Sequence, residues 1–282
     1  MTKPLIPLAL GIVLLGGCAT MDAFNSLQKT VQEQGITIAR AFTLTNKAHV
    51  YLTWFRPNGK IKEISRYRGS SFEVTFTPAS GVSFVEDLSE PPVLTGMNYS
   101  YDLKFDDDSK VTRSISPIDA ISETAQLLKP DNDPLGQSKL STRKPTFEWQ
   151  RLNPSLDSKK ALAYMITVAE LDPGSFSDPN NIKFTPTTAN VKYSALIDPA
   201  KHSSGSAVSI EMGAKSDIPL ATELLDAMKG DAAVLQTKDG DKTVPLEANK
   251  FYAWTVTPIV YTTDQTAFAL GNMQTPRFFQ VQ

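Results

Sequence analysis

Leu246-Glu247-Ala248-Asn249-Lys250-Phe251-Tyr252-Ala253-Trp254-Thr255-Val256 is the stretch that decides the fold. Tyr252, Trp254 and Val256 recur at every second residue, the spacing at which a β-strand presents one face. The same period runs through the N-terminal half. Val50, Leu52 and Trp54 alternate with Tyr51, Thr53 and Phe55; Phe72, Val74 and Phe76 alternate with Glu73, Thr75 and Thr77. Tyr99, Tyr101, Leu103 and Phe105 alternate with Ser100, Asp102 and Lys104. Such runs are half-buried strands, one face apolar and one wet.

Arg56-Pro57-Asn58-Gly59 and Asp106-Asp107-Asp108-Ser109 separate strand-like runs. Asn and Gly tolerate positive φ, and short acidic side chains bond their own backbone, so both read as hairpin turns. Several short strands with no long helix over residues 36–117 predict an antiparallel sandwich. Three segments read as helices. Met21–Gln34 spaces Phe24, Leu27 and Val31 as a short amphipathic tether; Ile118–Lys129 puts Ile118, Ile121, Ala125 and Leu128 on one face. Residues 216–230 carry Asp217 as a cap, Pro219 in the first turn, a Leu220, Leu224, Met228 stripe and Gly230 as a stop. Pro130-Asp131-Asn132-Asp133-Pro134-Leu135-Gly136 has the composition of a domain boundary. Its two aspartates are too few for calcium, which takes six to eight oxygens.

The opening stretch also resembles the fibronectin type III pattern L-x-P-x-T-x-Y, with Ala248 and Lys250 where that family has proline and threonine. The resemblance implies that Tyr252 forms a tyrosine corner, its hydroxyl bonded to nearby backbone. It further implies that Pro145–Trp149 is the strand bearing the core tryptophan, that Tyr164–Val168 follows it, and that Phe278–Val281 is last. The stretch between Val168 and Leu246 is far longer than that fold requires, which marks an insertion around the 216–230 helix, either closing the sandwich or docking a partner. The fold expected is mainly β: two antiparallel β-sandwich domains of immunoglobulin or fibronectin type III kind, with a few short helices.

The N-terminus resembles a bacterial lipoprotein signal. Lys3, the apolar run Leu5–Leu15 and then Leu15-Gly16-Gly17-Cys18 match the positive start, apolar core and lipobox of that class. The run is shorter than the roughly 18 to 20 apolar residues of a spanning helix and contains Pro7 and Gly11. The resemblance implies cleavage before Cys18 and acylation of its thiol, palmitate included. With neither Ala19 nor Thr20 an aspartate, it implies residence in the outer membrane, on the periplasmic face or at the cell surface. The order expected is a signal peptide (1–17), lipidated cysteine and tether (18–35), an N-terminal sandwich (36–117), helix and linker (118–140) and a fibronectin type III-like domain with its insertion (141–282).

Removing Lys3 with the leader leaves 27 basic side chains (28 less one) against 30 acidic ones, a net charge of −3. No basic cluster marks a nucleic-acid surface. Cys18 is the single cysteine, so no thiol is left for a disulfide, redox couple or thiolate metal site. The histidines are His49 and His202. No G-x-S-x-G, H-E-x-x-H, G-x-x-x-x-G-K-[ST] or G-x-G-x-x-G motif occurs. The acidic groups Asp106–Asp108 and Asp239-Gly240-Asp241 read as exposed turn formers. No catalytic residue, metal or cofactor is expected, nor a small-molecule ligand. The function expected is a lipid-anchored envelope subunit that binds or scaffolds another envelope protein. The alternatives are carbohydrate or peptidoglycan recognition, with Tyr51, Phe55 or Trp254 as a stacking platform, and an envelope hydrolase built on His202.

Overall fold

The computed structural model describes residues 36–44, 47–55, 60–78, 83–88, 96–172, 184, 186–187, 189–218 and 238–282. Seven strands come first: β1 (Ile36–Leu44), β2 (Lys47–Phe55), β3 (Ile61–Arg68), β4 (Ser71–Phe76), β5 (Ser83–Leu88), β6 (Tyr99–Phe105) and β7 (Lys110–Ile115). Then follow β8 (Leu127–Lys129), β9 (Lys139–Leu140), β10 (Thr146–Gln150), β11 (Lys160–Glu170), β12 (Val191–Ile197) and the four-residue helix α1 (Pro199–His202). The last are β13 (Ser203–Ser204), β14 (Ala207–Glu211), β15 (Phe251–Thr262), β16 (Ala267–Leu270) and β17 (Arg277–Val281). The fold is mainly β; among the described registers the pairings are antiparallel except for two short parallel ones, β1 with β16 and β17 with β9.

Two compact units divide the chain. The first takes the described residues within Met1–Arg40, Tyr51–Glu86 and Met97–Ser116; the second takes those within Ala41–Val50, Asp87–Gly96 and Pro117–Gln282. The division passes near residue 117, and residues 41–50 cluster with the C-terminal strands rather than with the N-terminal ones.

In the N-terminal unit β4, β3, β6 and β7 form an antiparallel sheet in that order. Strand β6 alternates buried and half-buried residues without a break, Tyr101 and Leu103 fully inside. The Asp106–Ser109 turn closes β6 onto β7: Asp108 takes φ 59°, and the Asp107 carboxylate accepts the Ser109 N–H at 3.0 Å. The Arg56–Gly59 turn lies outside the described residues.

In the C-terminal unit two sheets face each other. One runs β13-β14-β10-β8, the other β12-β11-β15, with β17 and β16 on opposite halves of the twelve-residue β15. Between them pack Phe147 and Trp149 of β10, Ile166 of β11, Tyr193 of β12, Trp254 of β15 and Phe279 of β17. The Tyr252 hydroxyl accepts the Glu247 N–H at 2.7 Å, closing a tyrosine corner as the fibronectin-like spacing implied. Trp149 is fully buried on β10 as expected.

The helix expected over Ile118–Lys129 does not form. Residues 116–126 are irregular and Leu127–Lys129 is β8, pairing with β10 through Trp149↔Leu127 and Glu148↔Lys129. A twelve-residue helix has little stability of its own. The open edge of β10 supplies backbone partners instead, continued by Gln150 N–H to Gln126 O at 2.8 Å. The tether helix at 21–34 lies outside the described residues, as do residues 219–230 of the expected insertion helix; residues 216–218 are described and are not helical.

Candidate functional site

Cys18 and the whole lipobox lie outside the described residues. His49 sits half-buried on β2. His202 ends α1, and its Nε2 is 2.9 Å from Asp217 Oδ2, which also accepts the Asp198 N–H at 2.9 Å. Asp217 therefore ties α1 down, and the capping role expected of it concerns residues beyond the described ones. A histidine and a carboxylate thus meet. Among the described residues no serine hydroxyl bonds the imidazole: Ser203 donates to Pro199 O, and Ser216 accepts from Leu196 N–H at 3.0 Å. No group of three or more potential metal ligands gathers among the described residues.

The alternative stacking platform is not found among the described aromatics named for it. Trp254 is fully buried, and Tyr51 is 6 % exposed although it alternates with the buried Val50 and Leu52, so this part of β2 is covered on both faces and not half-buried as its alternation predicted; the Phe55 ring lies outside the described side chains. Asp133 accepts the Ser138 N–H and Asn132 accepts the Phe278 N–H, so the linker's polar groups stitch loop to strand. Asp239 accepts the Ser216 N–H at 2.6 Å, and Asp241 is exposed.

The site that geometry singles out is the β4 edge of the N-terminal unit. Pairing with β3 runs Ile64↔Phe76, Ser65↔Thr75 and Arg66↔Val74, then steps to Tyr67↔Phe72, so that Glu73 faces no residue of its own. One bulged residue reverses which side the following chain shows. Phe76 points inward opposite Ile64. Phe72, expected on that same face, instead points outward beside Tyr67 and is 59 % exposed. The Tyr67 and Phe72 rings meet edge to face, 5.7 Å apart at 70°. They are not coplanar, so they form a contact ridge rather than a flat surface for a sugar ring.

Beneath the ridge, charges fix the edge. Arg66 Nε lies 2.9 Å from Glu73 and its guanidinium also pairs with Glu86; Arg68 Nε lies 2.6 Å from Glu73. The Tyr101 hydroxyl donates to Glu86 at 2.8 Å. Burial pushes the Glu86 carboxyl up, against the downward pull of the Tyr101 hydrogen bond and the Arg66 charge. Burial, then the Glu86 charge, drives the Tyr101 phenol far above its ordinary range. On the outer face Asp102 is partly desolvated, which alone would raise it. Hydrogen bonds from Lys110, Thr112 and Tyr67 outweigh that and hold it below the usual carboxylate range. The arrangement presents an exposed aromatic on a rigid, hydrogen-bonded edge, with hydroxyl pairs Ser65–Thr75 and Ser100–Ser114 alongside. Nothing in it is placed to attack a bond.

A second surface is an open cleft of about 680 Å³ in the C-terminal unit, lined by Arg143, Lys144, Glu211, Lys215, Asp241 and Thr243 among others. Its charges are mixed and exposed.

Known proteins add little to this geometry. No family matches the sequence, and no curated protein does. Among solved structures the chain is similar to fibronectin(III)-like modules of Clostridium thermocellum CbhA, at 10 % identity and TM-score 0.33, over 87 % of this chain and 93 % of that one. It is also similar to a two-domain fibronectin type III segment of chicken tenascin, at 10 % identity and TM-score 0.25, over 88 % and 100 %. A cytokine receptor complex gives 10 % identity and TM-score 0.29, over 87 % and 96 %. The sandwich and tyrosine corner described above rest on their own pairing.

Reasoning on the sequence missed Phe72, Arg66, Glu73, Glu86 and Tyr101 as a group. The available signal was Glu73 between two aromatics on an apolar strand, a residue that pays to be inside only when paired.

Proposed function

We propose that this chain is a membrane-anchored envelope lipoprotein, held by lipid on Cys18, that binds or scaffolds another envelope protein through its β-sheet surfaces. The observation that carries the binding role is Phe72: a large apolar side chain, 59 % exposed, on the outermost strand of a sheet whose edge is fixed by ion pairs. Exposed aromatics on rigid backbone are the residues that anchor protein interfaces, and an edge strand offers backbone groups to a partner strand. The anchoring role is supported by Leu15-Gly16-Gly17-Cys18, and the outer-membrane address by the absence of aspartate after the cysteine. Several acyl chains on one cysteine, at about 0.8 kcal/mol per CH₂, hold a protein to a bilayer durably.

Two variants test the two halves separately. Cys18→Ser is expected to move the protein from the membrane fraction to the soluble one, and continued membrane residence defeats the anchor. Phe72→Asp is expected to keep the fold and to lower recovery of cross-linked envelope partners at least tenfold, as quantified by mass spectrometry. An unchanged partner profile defeats the β4 edge as the contact.

A further inference from the structure

In the C-terminal unit an open strand edge and a cleft lie side by side. The Gln126 carbonyl turns toward β10 and accepts the Gln150 N–H at 2.8 Å, which makes Trp149↔Leu127 the non-hydrogen-bonded kind of antiparallel pair. Main-chain groups change sides from one residue of a strand to the next, so the Leu127 N–H and C=O turn away from β10. Leu127 lines a cleft of about 400 Å³ together with Asn132, Met273, Gln274, Thr275 and Arg277. Its side chain belongs to the core and is 5 % exposed, so its main chain is what meets the cleft. The next carbonyl along, that of Leu128, accepts Arg277 Nη1 at 2.7 Å, which closes that end of the edge.

The cleft also holds a polar side chain that the fold leaves half-used. Gln274 is 5 % exposed. Its main chain is engaged, the N–H donating to Val256 O at 3.0 Å and the C=O accepting the Thr255 hydroxyl at 2.6 Å. Its side-chain amide donates one N–H to Asn272 O at 2.9 Å, while the amide oxygen has no partner among the described residues. A buried amide costs free energy for each group left unpaired. Asn132 is its complement: the amide oxygen accepts the Phe278 N–H at 3.0 Å, which leaves the N–H groups as donors. Met273, 42 % exposed, adds an apolar lip. Among the described residues no aromatic ring and no carboxylate lines the cleft, and Arg277, its one cation, has Asp131 3.9 Å away.

We propose that this cleft binds an extended, uncharged peptide segment of another protein, which adds to the β8 edge at Leu127 and is gripped by the Gln274 and Asn132 amides. Three observations select a peptide. Leu127 presents one donor and one acceptor on the same side, a pattern that another strand's main chain answers with its own pair. The amide side chains carry the donors and acceptors of a peptide group, so Gln274 takes a peptide N–H and Asn132 gives to a peptide C=O. The lining has no ring on which a sugar could stack, and with Arg277 beside Asp131 it has no surplus charge to hold a polyanion. Met273 is unbranched and polarizable, and such a side chain adapts to apolar residues of different shape. The volume falls within the roughly 300–1,000 Å³ of sites for small ligands, so a short stretch of the segment is held. This site is separate from the β4 edge and does not rest on the role proposed for Phe72.

The test uses the full chain with Cys18→Ser and three probes, the acetylated and amidated pentapeptides Ser-Thr-X-Thr-Ser with valine, leucine or phenylalanine at X. Binding is followed by nuclear magnetic resonance at the Leu127 amide and the Gln274 side chain. At least one probe is expected to bind saturably, with a Kd of about 1 mM or tighter, and to move both resonances. Methylating the backbone nitrogen of X should weaken that probe about tenfold, as should Gln274→Leu, each removing one hydrogen bond. Met273→Ser, at an exposed position, should weaken it about threefold. Should Gln274→Leu fail to fold, the methylated probe on the unaltered chain decides. Binding that survives methylation, resonances that move elsewhere, or no saturation by any probe at about 10 mM would overturn the proposal. So would maltotriose producing the same shifts.

Discussion

The two units fill their interiors in opposite ways. The C-terminal sandwich packs Phe147, Trp149, Tyr193, Trp254 and Phe279 ring against ring, with Phe147 and Trp254 centroids 5.1 Å apart. The N-terminal sheet places Arg66, Glu73, Glu86 and Tyr101 where such a core would continue. Apolar bulk stabilises without regard to pH and without choosing one register strongly. A buried charge group contributes little net stability, yet loses much if any member is missing. The second arrangement thus fixes geometry, and it lies directly under the residue that presents Phe72.

The contrast can be broken most forcefully from the aromatic side. Trp254→Ala is expected to cost about 3–5 kcal/mol in the unfolding of the C-terminal unit, measured by denaturant melts followed at Trp149. Trp254→Phe should cost far less than its lost area suggests, because the buried indole N–H has no hydrogen-bond partner among the described residues. From the charged side, Arg66→Ala leaves Glu86 without its cation and Glu73 with Arg68 alone. A loss of about 3 kcal/mol is expected, and a melt within experimental error of wild type would show that the charges are well solvated. Tyr252→Phe removes the hydroxyl from the Glu247 N–H, for about 1–2 kcal/mol, a difference that urea denaturation resolves.

The smallest expected change is the sharpest in sign. Folding raises the Glu86 carboxyl above its ordinary 4.5, so the folded chain binds the extra proton. That contribution is fully present below about pH 4.5 and fades as pH rises through the folded value. Glu86→Gln keeps an acceptor for the Tyr101 hydroxyl and does not titrate. Stability measured from pH 4.5 to 8 should decline in the wild type and lie flatter in the variant, the two differing by no more than about 1 kcal/mol in acid. A steeper decline in the variant would reverse the assignment.

Much of the fold was legible because strands advertise one buried face. Tyr99–Phe105 and the Tyr252, Trp254, Val256 series read correctly, and the L-x-P-x-T-x-Y spacing located a corner that the Tyr252 hydroxyl closes. Ile118–Lys129 misread because a helical stripe of four apolar residues is also compatible with an irregular segment that ends by pairing with β10. Phe72 misread because alternation carries no mark of the one extra residue, Glu73, that turns it outward. Strands β11 and β15 carried a further signal in their near-continuous apolar runs, Ala161–Ala169 and Phe251–Tyr261, which suit burial on both faces better than on one. The candidate site was therefore the least legible part. Its chemistry is ion pairing between residues brought together from β3, β4, β5 and β6, and no local pattern announces it.

The parallel pairing of β1 with β16 sets Ala41 opposite Ala267 and Leu44 opposite Leu270. A chain emerging N-terminus first has made the former long before the latter exists. Closing so long a loop costs more entropy than any hairpin in the molecule, and contacts of such separation slow folding. Residues 41–44 consequently wait for the end of the chain, and the wait is a period in which an apolar strand is available to wrong partners. C-terminal truncations ending before Ala267 are thus expected to aggregate rather than to yield a smaller folded protein.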